Sequence, residues 1–157
     1  MFTTVAHNKG IKLDCDLSSH TEVWADLNSL STILRNLVNN ALKFTKPGGE
    51  VSIKAEETEN EVIIEIRDTG IGMSAERMRT LFKFKEEEKR TWGTNGEKGI
   101  GLGLRLAYEF AQLNGGSLKV RSKERIGTSF FLNLPKSHPK AVAKENVEIN
   151  EEKEILV

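Results

Sequence analysis

The chain has 157 residues, with 23 Lys+Arg against 23 Asp+Glu, 38% hydrophobic residues and a single cysteine. This composition excludes a disordered chain, a disulfide scaffold and a globally basic nucleic-acid binder, and the length is enough to bury a core unaided. No apolar run approaches the roughly 20 residues that span a bilayer, and the first nine residues lack a signal-peptide core, so a soluble polypeptide in a cytoplasmic redox setting is expected.

Residues 1–9 are expected to be a lead-in or remnant linker. Ile11 to Leu17 alternates apolar and polar side chains, the period of a half-buried strand near a sheet edge. Asp26-Leu27-Asn28-Ser29 offers capping groups, and Leu30, Ile33, Leu34, Leu37, Val38, Ala41 and Leu42 then repeat at helical spacing until Pro47-Gly48-Gly49. Glu50 to Glu56 and Glu61 to Arg67 predict an antiparallel hairpin around a polar turn. Ser74 to Phe82 has a cap and mixed helical content, whereas residues 83–98 are charged, then Gly-rich, without a period, and predict a loop. A further helix is expected from about Gly101 to Leu113, with Leu102, Leu106, Ala107, Phe110 and Leu113 on one side and Asn114-Gly115-Gly116 as its stop. Ser117 to Ser122 and Thr128 to Leu134 predict a last hairpin. The order β, α, β, β, α, loop, α, β, β is that of an α+β domain over residues 10–135, two layers deep, with five strands and about three helices. Residues 136–157 are Lys/Glu-rich and form a charged linker.

Three segments carry chemistry. At about 100° per residue, Asn36, Asn40 and Lys43 fall within roughly 40° to 60° of one another on the helix, forming a ridge of two amides and an ammonium. Such a ridge is either a solvated polar face or a place where amide oxygens help hold Mg²⁺ and the lysine meets phosphate. Asp68-Thr69-Gly70-Ile71-Gly72-Met73 follows a strand. Gly70 to Ala75 formally fits the dinucleotide fingerprint G-x-G-x-x-A, but no second parallel strand follows to complete a βαβ unit. Asp68 is then either a turn-forming Asx residue or an acceptor for an exocyclic amine, with the glycines admitting a flat ring. Gly99-Ile100-Gly101-Leu102-Gly103-Leu104 sits where a loop enters a helix. It is either a hinge or a row of backbone N–H groups at the positive end of a helix dipole, suited to phosphate.

In this order and register, the three segments resemble the catalytic and ATP-binding domain of bacterial sensor histidine kinases. Residues 33–45 look like that family's asparagine box, Asp68 to Met73 like its first glycine box, Gly99 to Leu104 like its second, and Gly127-Thr128-Ser129-Phe130 like its closing motif. The resemblance implies a Bergerat-type fold, a left-handed βαβ-type sandwich with a mixed five-stranded sheet, and ATP and Mg²⁺ as cofactors. It implies that Asn40 is the principal Mg²⁺ ligand, that Asn36 assists near the phosphates and that Lys43 contacts a phosphate. By the same resemblance Phe44 packs on adenine and Asp68 binds its amino group, with Gly70, Ile71, Gly72 and Met73 around the base and Thr128 supporting through a water. Gly99, Ile100, Gly101, Leu102, Gly103 and Leu104 line the triphosphate under a lid. Lys98 is the first candidate for the γ-phosphate, ahead of Lys89 and Arg90.

One departure is that Phe82 and Phe84 have only Lys83 between them, where the family usually has two intervening residues. Another concerns the acceptor. The family's phosphorylated histidine lies on an earlier helical hairpin, and His7, His20 and His138 do not fit that context. The expected partner is therefore a histidine-containing dimerisation domain outside this chain, with a response regulator or receiver domain downstream and no nucleic acid. This leaves a monomeric catalytic fragment that reaches a membrane only through its parent. The apolar end Ile155-Leu156-Val157 resembles the opening strand of a receiver domain. The alternatives are an anti-sigma-type serine kinase of the same fold, which generally keeps an acidic residue where Asn36 stands, and a nucleotide-responsive interaction module without transfer.

Overall fold

The computed structural model describes residues 1–17, 20–83 and 101–138. In chain order the elements are α1 (Phe2–Lys9), β1 (Lys12–Asp16), α2 (Leu27–Phe44), β2 (Glu50–Glu57), β3 (Glu61–Asp68), α3 (Ala75–Thr80), α4 (Gly101–Leu113), β4 (Ser117–Lys123) and β5 (Gly127–Pro135). The strands form one sheet in the order β1-β2-β3-β5-β4. Among the described residues β1 runs parallel to β2 and the other pairs are antiparallel, so the sheet is mixed, with α2 in the crossover from β1 to β2. Both neighbours of β3 are antiparallel to it, which removes the dinucleotide-type reading of Gly70 to Ala75.

The helices cover one face. β5 buries Thr128, Phe130, Leu132 and Leu134 on alternate positions, β3 buries Val62, Ile64 and Ile66, and α2 meets them with Ile33, Leu37, Val38, Ala41 and Leu42. Truncating any of the larger of these to Ala removes transfer energy and leaves a cavity, a cost of about 2–5 kcal/mol. Asp26 caps α2 by accepting the Ser29 N–H (2.7 Å), and at the other end the Thr45 hydroxyl donates to Ala41 O (2.7 Å) before Pro47 ends the helix.

Three expectations change. Residues 2–9, expected as linker, form α1. A sequence of eight residues with weak amphipathicity carries little helical signal, and tertiary contacts supply the rest. Gly10 closes α1 in the left-handed conformation (φ 68°), Ala6 is buried, and the Lys9 ammonium donates to Leu42 O (2.6 Å) and Lys43 O (2.9 Å) at the end of α2. The apolar side of α4 is also rotated from the expected one: Leu104, Ala107 and Ala111 are buried, while Leu102 and Leu113 are exposed. Small alanines let α4 lie close beside α2, which decides the facing more than side-chain size does. Finally, β1 buries Ile11 just before it and part of Leu13, but Cys15 and Leu17 stay exposed, because an edge strand beyond the helices has nothing to pack against.

Candidate functional site

A cavity of about 360 Å³ opens between the C-terminal turns of α2, the end of β3 and the start of β5, within the size range of small-molecule sites. Its walls are mostly apolar: Phe44, Ile71, Met73, Leu81, Leu104 and Phe130. Asn40, Asp68, Ser74, Arg77, Glu124 and Thr128 add the polar groups.

Asp68 is the decisive group. Its side chain is 7% exposed, and Oδ1 accepts the Gly70 N–H at 2.8 Å. Burial raises its pKa above the ordinary aspartate value, against the opposing pull of the Gly70 and Thr128 backbone N–H groups. A carboxylate held in an apolar cavity, with one oxygen engaged by its own turn, is poised to accept from a ligand N–H. The following loop is fixed on several sides. Ile71 N–H donates to Phe44 O (3.2 Å), Arg125 N–H donates to Ile71 O (2.7 Å), and Met73 N–H donates to Ser122 Oγ (2.8 Å). Ser122 in turn donates to Gly127 O (2.9 Å) and lies 2.8 Å from Thr128 Oγ1. With the Ser122 hydroxyl donating to Gly127 O, its oxygen accepts from the Thr128 O–H, which leaves lone pairs of the Thr128 hydroxyl for the cavity it lines. Gly72 has φ 65°, and a Cβ there would lie 2.0 Å from Lys123 O, so the loop admits only glycine at that position.

Of the site residues expected from sequence, Asn40, Phe44, Asp68, Ile71, Gly72, Met73, Leu104 and Thr128 meet on this one cavity. Gly70 lies behind it, where a Cβ would strike Phe44 O at 2.4 Å. Lys43 is exposed at the rim, with its ammonium 5.4 Å from the Phe44 ring centroid. Asn36 does not line the cavity; it lies against the first turn of α4, where its Oδ1 is 2.7 Å from the position of a Cβ on Gly103. Gly101 and Leu102 are exposed at the start of α4 and also stand outside the cavity wall. Lys89, Arg90, Lys98, Gly99 and Ile100 lie outside the described residues, as do Phe84 and the 139–157 segment. Phe82 stacks on Tyr108 of α4 (4.9 Å, 23°).

Sequence reasoning missed Arg77, Leu81 and Glu124 as cavity residues, and Ser122 behind them. Ser74, noted only as a helix cap, and Phe130, quoted only within a motif, are walls as well. Arg77 and Glu124 come from a short helix and a hairpin turn, where no periodicity marks which way a side chain faces.

Residues 25–138 match the model of the histidine kinase-, DNA gyrase B- and HSP90-like ATPase family. The chain belongs to that family. It is 38% identical over 117 residues to the sensor protein SrrB of Staphylococcus aureus, a match covering 73% of this chain and 20% of the relative. The chain therefore spans about a fifth of the length of the curated relatives it matches. Among solved structures it resembles the nucleotide-free catalytic domain of the histidine kinase ThkA, with a TM-score of 0.69 at 23% identity over 86% of this chain and 85% of that one. It also resembles full-length ShkA in complex with AMPPNP, with a TM-score of 0.70 at 26% identity over 87% of this chain and 28% of that one. These likenesses agree with the expected α+β architecture and with a histidine kinase-type ATPase domain. Among the described residues, no helix is long and apolar enough to cross a membrane.

Proposed function

We propose that this chain is the Mg-ATP-binding catalytic domain of a two-component sensor histidine kinase, donating the γ-phosphoryl group to a histidine on a dimerisation domain carried elsewhere. The observation that carries the reading is the buried Asp68 carboxylate at the back of an apolar cavity walled by Phe44, Ile71, Met73 and Phe130. That arrangement suits a planar base that presents an exocyclic amine to the accepting oxygen, as adenine does.

The donor set suits a magnesium ion. Asn40 is half-buried on the cavity wall and offers a hard amide oxygen, and Asn36 lies one turn away on the same helix. Among the described residues, no cluster of three or more His, Cys, Asp or Glu forms a closed cage. One or two protein oxygens, with the remaining positions left to phosphates and water, is the usual arrangement for this ion. When bound, Mg²⁺ neutralises charge on the phosphates.

The chain's own residues do the rest. Asp68 and Thr128 orient the base and Phe44 packs on it. Lys43, at the rim beside Phe44, is placed to meet a phosphate, and Lys98 with the Gly99–Leu104 segment supplies the remaining contacts. Because phosphoryl transfer depends chiefly on positioning and charge neutralisation, this set is sufficient without a covalent protein intermediate. Asn36 stands where hydrolytic relatives carry a glutamate, and an amide cannot take a proton from water at neutral pH. The domain thus conserves ATP for transfer, and the same amide argues against the serine-kinase alternative.

The test supplies the missing acceptor. Incubated with Mg-ATP and a separately purified dimerisation domain bearing its histidine, the chain should label that histidine, and Asn40→Ala should abolish labelling. Labelling of the chain's own histidines, or ATP turnover at the pace of a dedicated ATPase, would overturn the proposal.

A further inference from the structure

The face of the sheet turned away from the helices carries a second, basic depression. It measures about 270 Å³ and is lined by Arg67, Arg121, Lys123 and Ser129 together with Asp68, Ser122, Ile126, Gly127 and Thr128. Strand register explains the grouping. Arg67 of β3 pairs with Ser129 of β5, and Ser129 pairs with Arg121 of β4, so the two arginines occupy one rung on either side of a serine. Strands about 4.8 Å apart place their Cα atoms roughly 10 Å apart, close enough for both guanidinium groups to meet over the Ser129 hydroxyl. Lys123, two residues along β4, points to the same face.

The chain is neutral as a whole, yet no ion pair takes up these cations, and the acid that lines the depression, Asp68, is buried with Oδ1 engaged by the Gly70 N–H. Among the described residues, the ion pairs are Lys12–Glu50, Arg105–Glu109 and Lys136–Glu57, and none involves this trio. Asp14 is separated from Arg67 by Ser52 on the intervening strand, and Glu65, two residues from Arg67 on the same face, makes no ion pair with it. Arg121 is held in place by the Phe131 ring, its Cζ 5.2 Å from the centroid. Three clustered cations, one of them braced, around a hydroxyl donor in a depression match a tetrahedral dianion. A dianion leaves one positive charge over, whereas a carboxylate leaves two.

We infer that Arg67, Arg121, Lys123 and Ser129 form a binding site for a phosphate monoester group, distinct from the nucleotide cavity and back to back with it across the Asp68–Thr128 pair. A phosphate monoester carries a charge of about −1.5 to −2 at neutral pH, and Arg forks with a Ser hydroxyl are its usual protein ligands. The group can arrive as free phosphate or on a phosphorylated side chain.

The test is an amide NMR titration of the full chain at constant ionic strength, with three probes: inorganic phosphate, a phosphoserine peptide and the same peptide unphosphorylated. The expected result is saturable shifts at Arg67, Arg121, Ser129 and their neighbours with at least one phosphorylated probe. Those shifts should persist with the nucleotide cavity filled by an ATP analogue. Arg67→Gln and Arg121→Gln should each weaken binding by about tenfold, the loss of one charge-assisted contact, and Ser129→Asp should suppress it by placing a carboxylate between the guanidinium groups. Saturation by the peptide alone assigns the site to phosphorylated protein, and saturation by both phosphorylated probes to the phosphate group as such. Non-saturating shifts with both, equal response to the unphosphorylated peptide, or binding indifferent to the two Arg→Gln changes would overturn the inference.

Discussion

Asp68 combines two demands that conflict in an ordinary side chain: it is buried, which disfavours its charge, and it must present that charge or its lone pairs to a ligand. Its pKa is raised by burial, so the folded state holds the proton more tightly than the unfolded chain does. By linkage, its ionisation lowers stability as pH rises from the ordinary aspartate value through the raised one, and the penalty is complete above that. Asp68→Asn should therefore leave the melting temperature unchanged or raised at pH 7, with the advantage over the parent shrinking as pH falls through the raised value and gone below the unfolded aspartate value. The same variant should lose about tenfold to a hundredfold in nucleotide affinity, since a hydrogen bond to a charged acceptor is worth about 1.5–3 kcal/mol. In the parent, affinity should fall as acidification protonates Asp68. Thermal scans and binding isotherms across pH check both directions. Gly72 makes the opposite prediction. With φ 65° and Lys123 O in the space of any Cβ, Gly72→Ala should destabilise by about 2 kcal/mol or more, seen as a lower denaturant midpoint.

At the scale of elements, the site depends on the β4–β5 hairpin for more than the residues it lends to the cavity wall. The β4–β5 turn holds the Asp68–Met73 loop through Arg125 N–H and Ser122 Oγ, and Ser122 also sets the Thr128 hydroxyl. Ser122→Ala leaves the Met73 N–H without its acceptor, a cost of about 1–3 kcal/mol. Nucleotide affinity should drop while circular dichroism stays native, because the strand itself is retained. An unchanged affinity would show that the loop holds its shape without this bond. The strands were legible in the sequence to within a residue or two, since each hairpin is bracketed by Gly, Thr or Asn and the alternation on β3 and β5 is strict. Helix α1 was not, because its stability comes from Gly10, buried Ala6 and the Lys9 contacts with α2 and not from its own eight residues. The facing of α4 was legible only in part: Ala107 and Phe110 of the expected side do pack inward, whereas Leu102 and Leu113 are exposed. Both readings place leucines at helical spacing, and only the approach of α2 selects Leu104, Ala107 and Ala111.

For the molecule as a whole, the insertion of β5 between β3 and β4 brings Thr128 and Phe130 to Asp68, although 60 positions of chain separate Asp68 from Thr128. No local pattern encodes that pairing. The motifs announced which residues belong together, and the sheet order explains how they meet. The motifs did not reveal Arg77, Leu81 or Glu124, whose place in the cavity wall follows from the tertiary arrangement alone. Stability and chemistry are also unevenly placed: the core lies under β2, β3 and β5, whereas the cavity sits at the end of the layer pair, where α2 and β3 stop. A consequence is that supplying Mg-ATP should stabilise the whole chain by mass action, by about 2.7 kcal/mol at a free ligand concentration a hundred times Kd. Asn40→Ala and Asp68→Asn should lose most of this gain while keeping their unliganded stability near that of the parent.

The most direct measurement is equilibrium binding of a fluorescent ATP analogue with and without Mg²⁺, on the parent chain, Asp68→Asn and Asn40→Ala. The predicted result is saturable binding strengthened by Mg²⁺, weakened in Asp68→Asn whether or not the ion is present, and stripped of its Mg²⁺ dependence in Asn40→Ala. Binding that is indifferent to Asp68→Asn, with the variant folded, would contradict the assignment of the cavity to the adenine of a magnesium nucleotide.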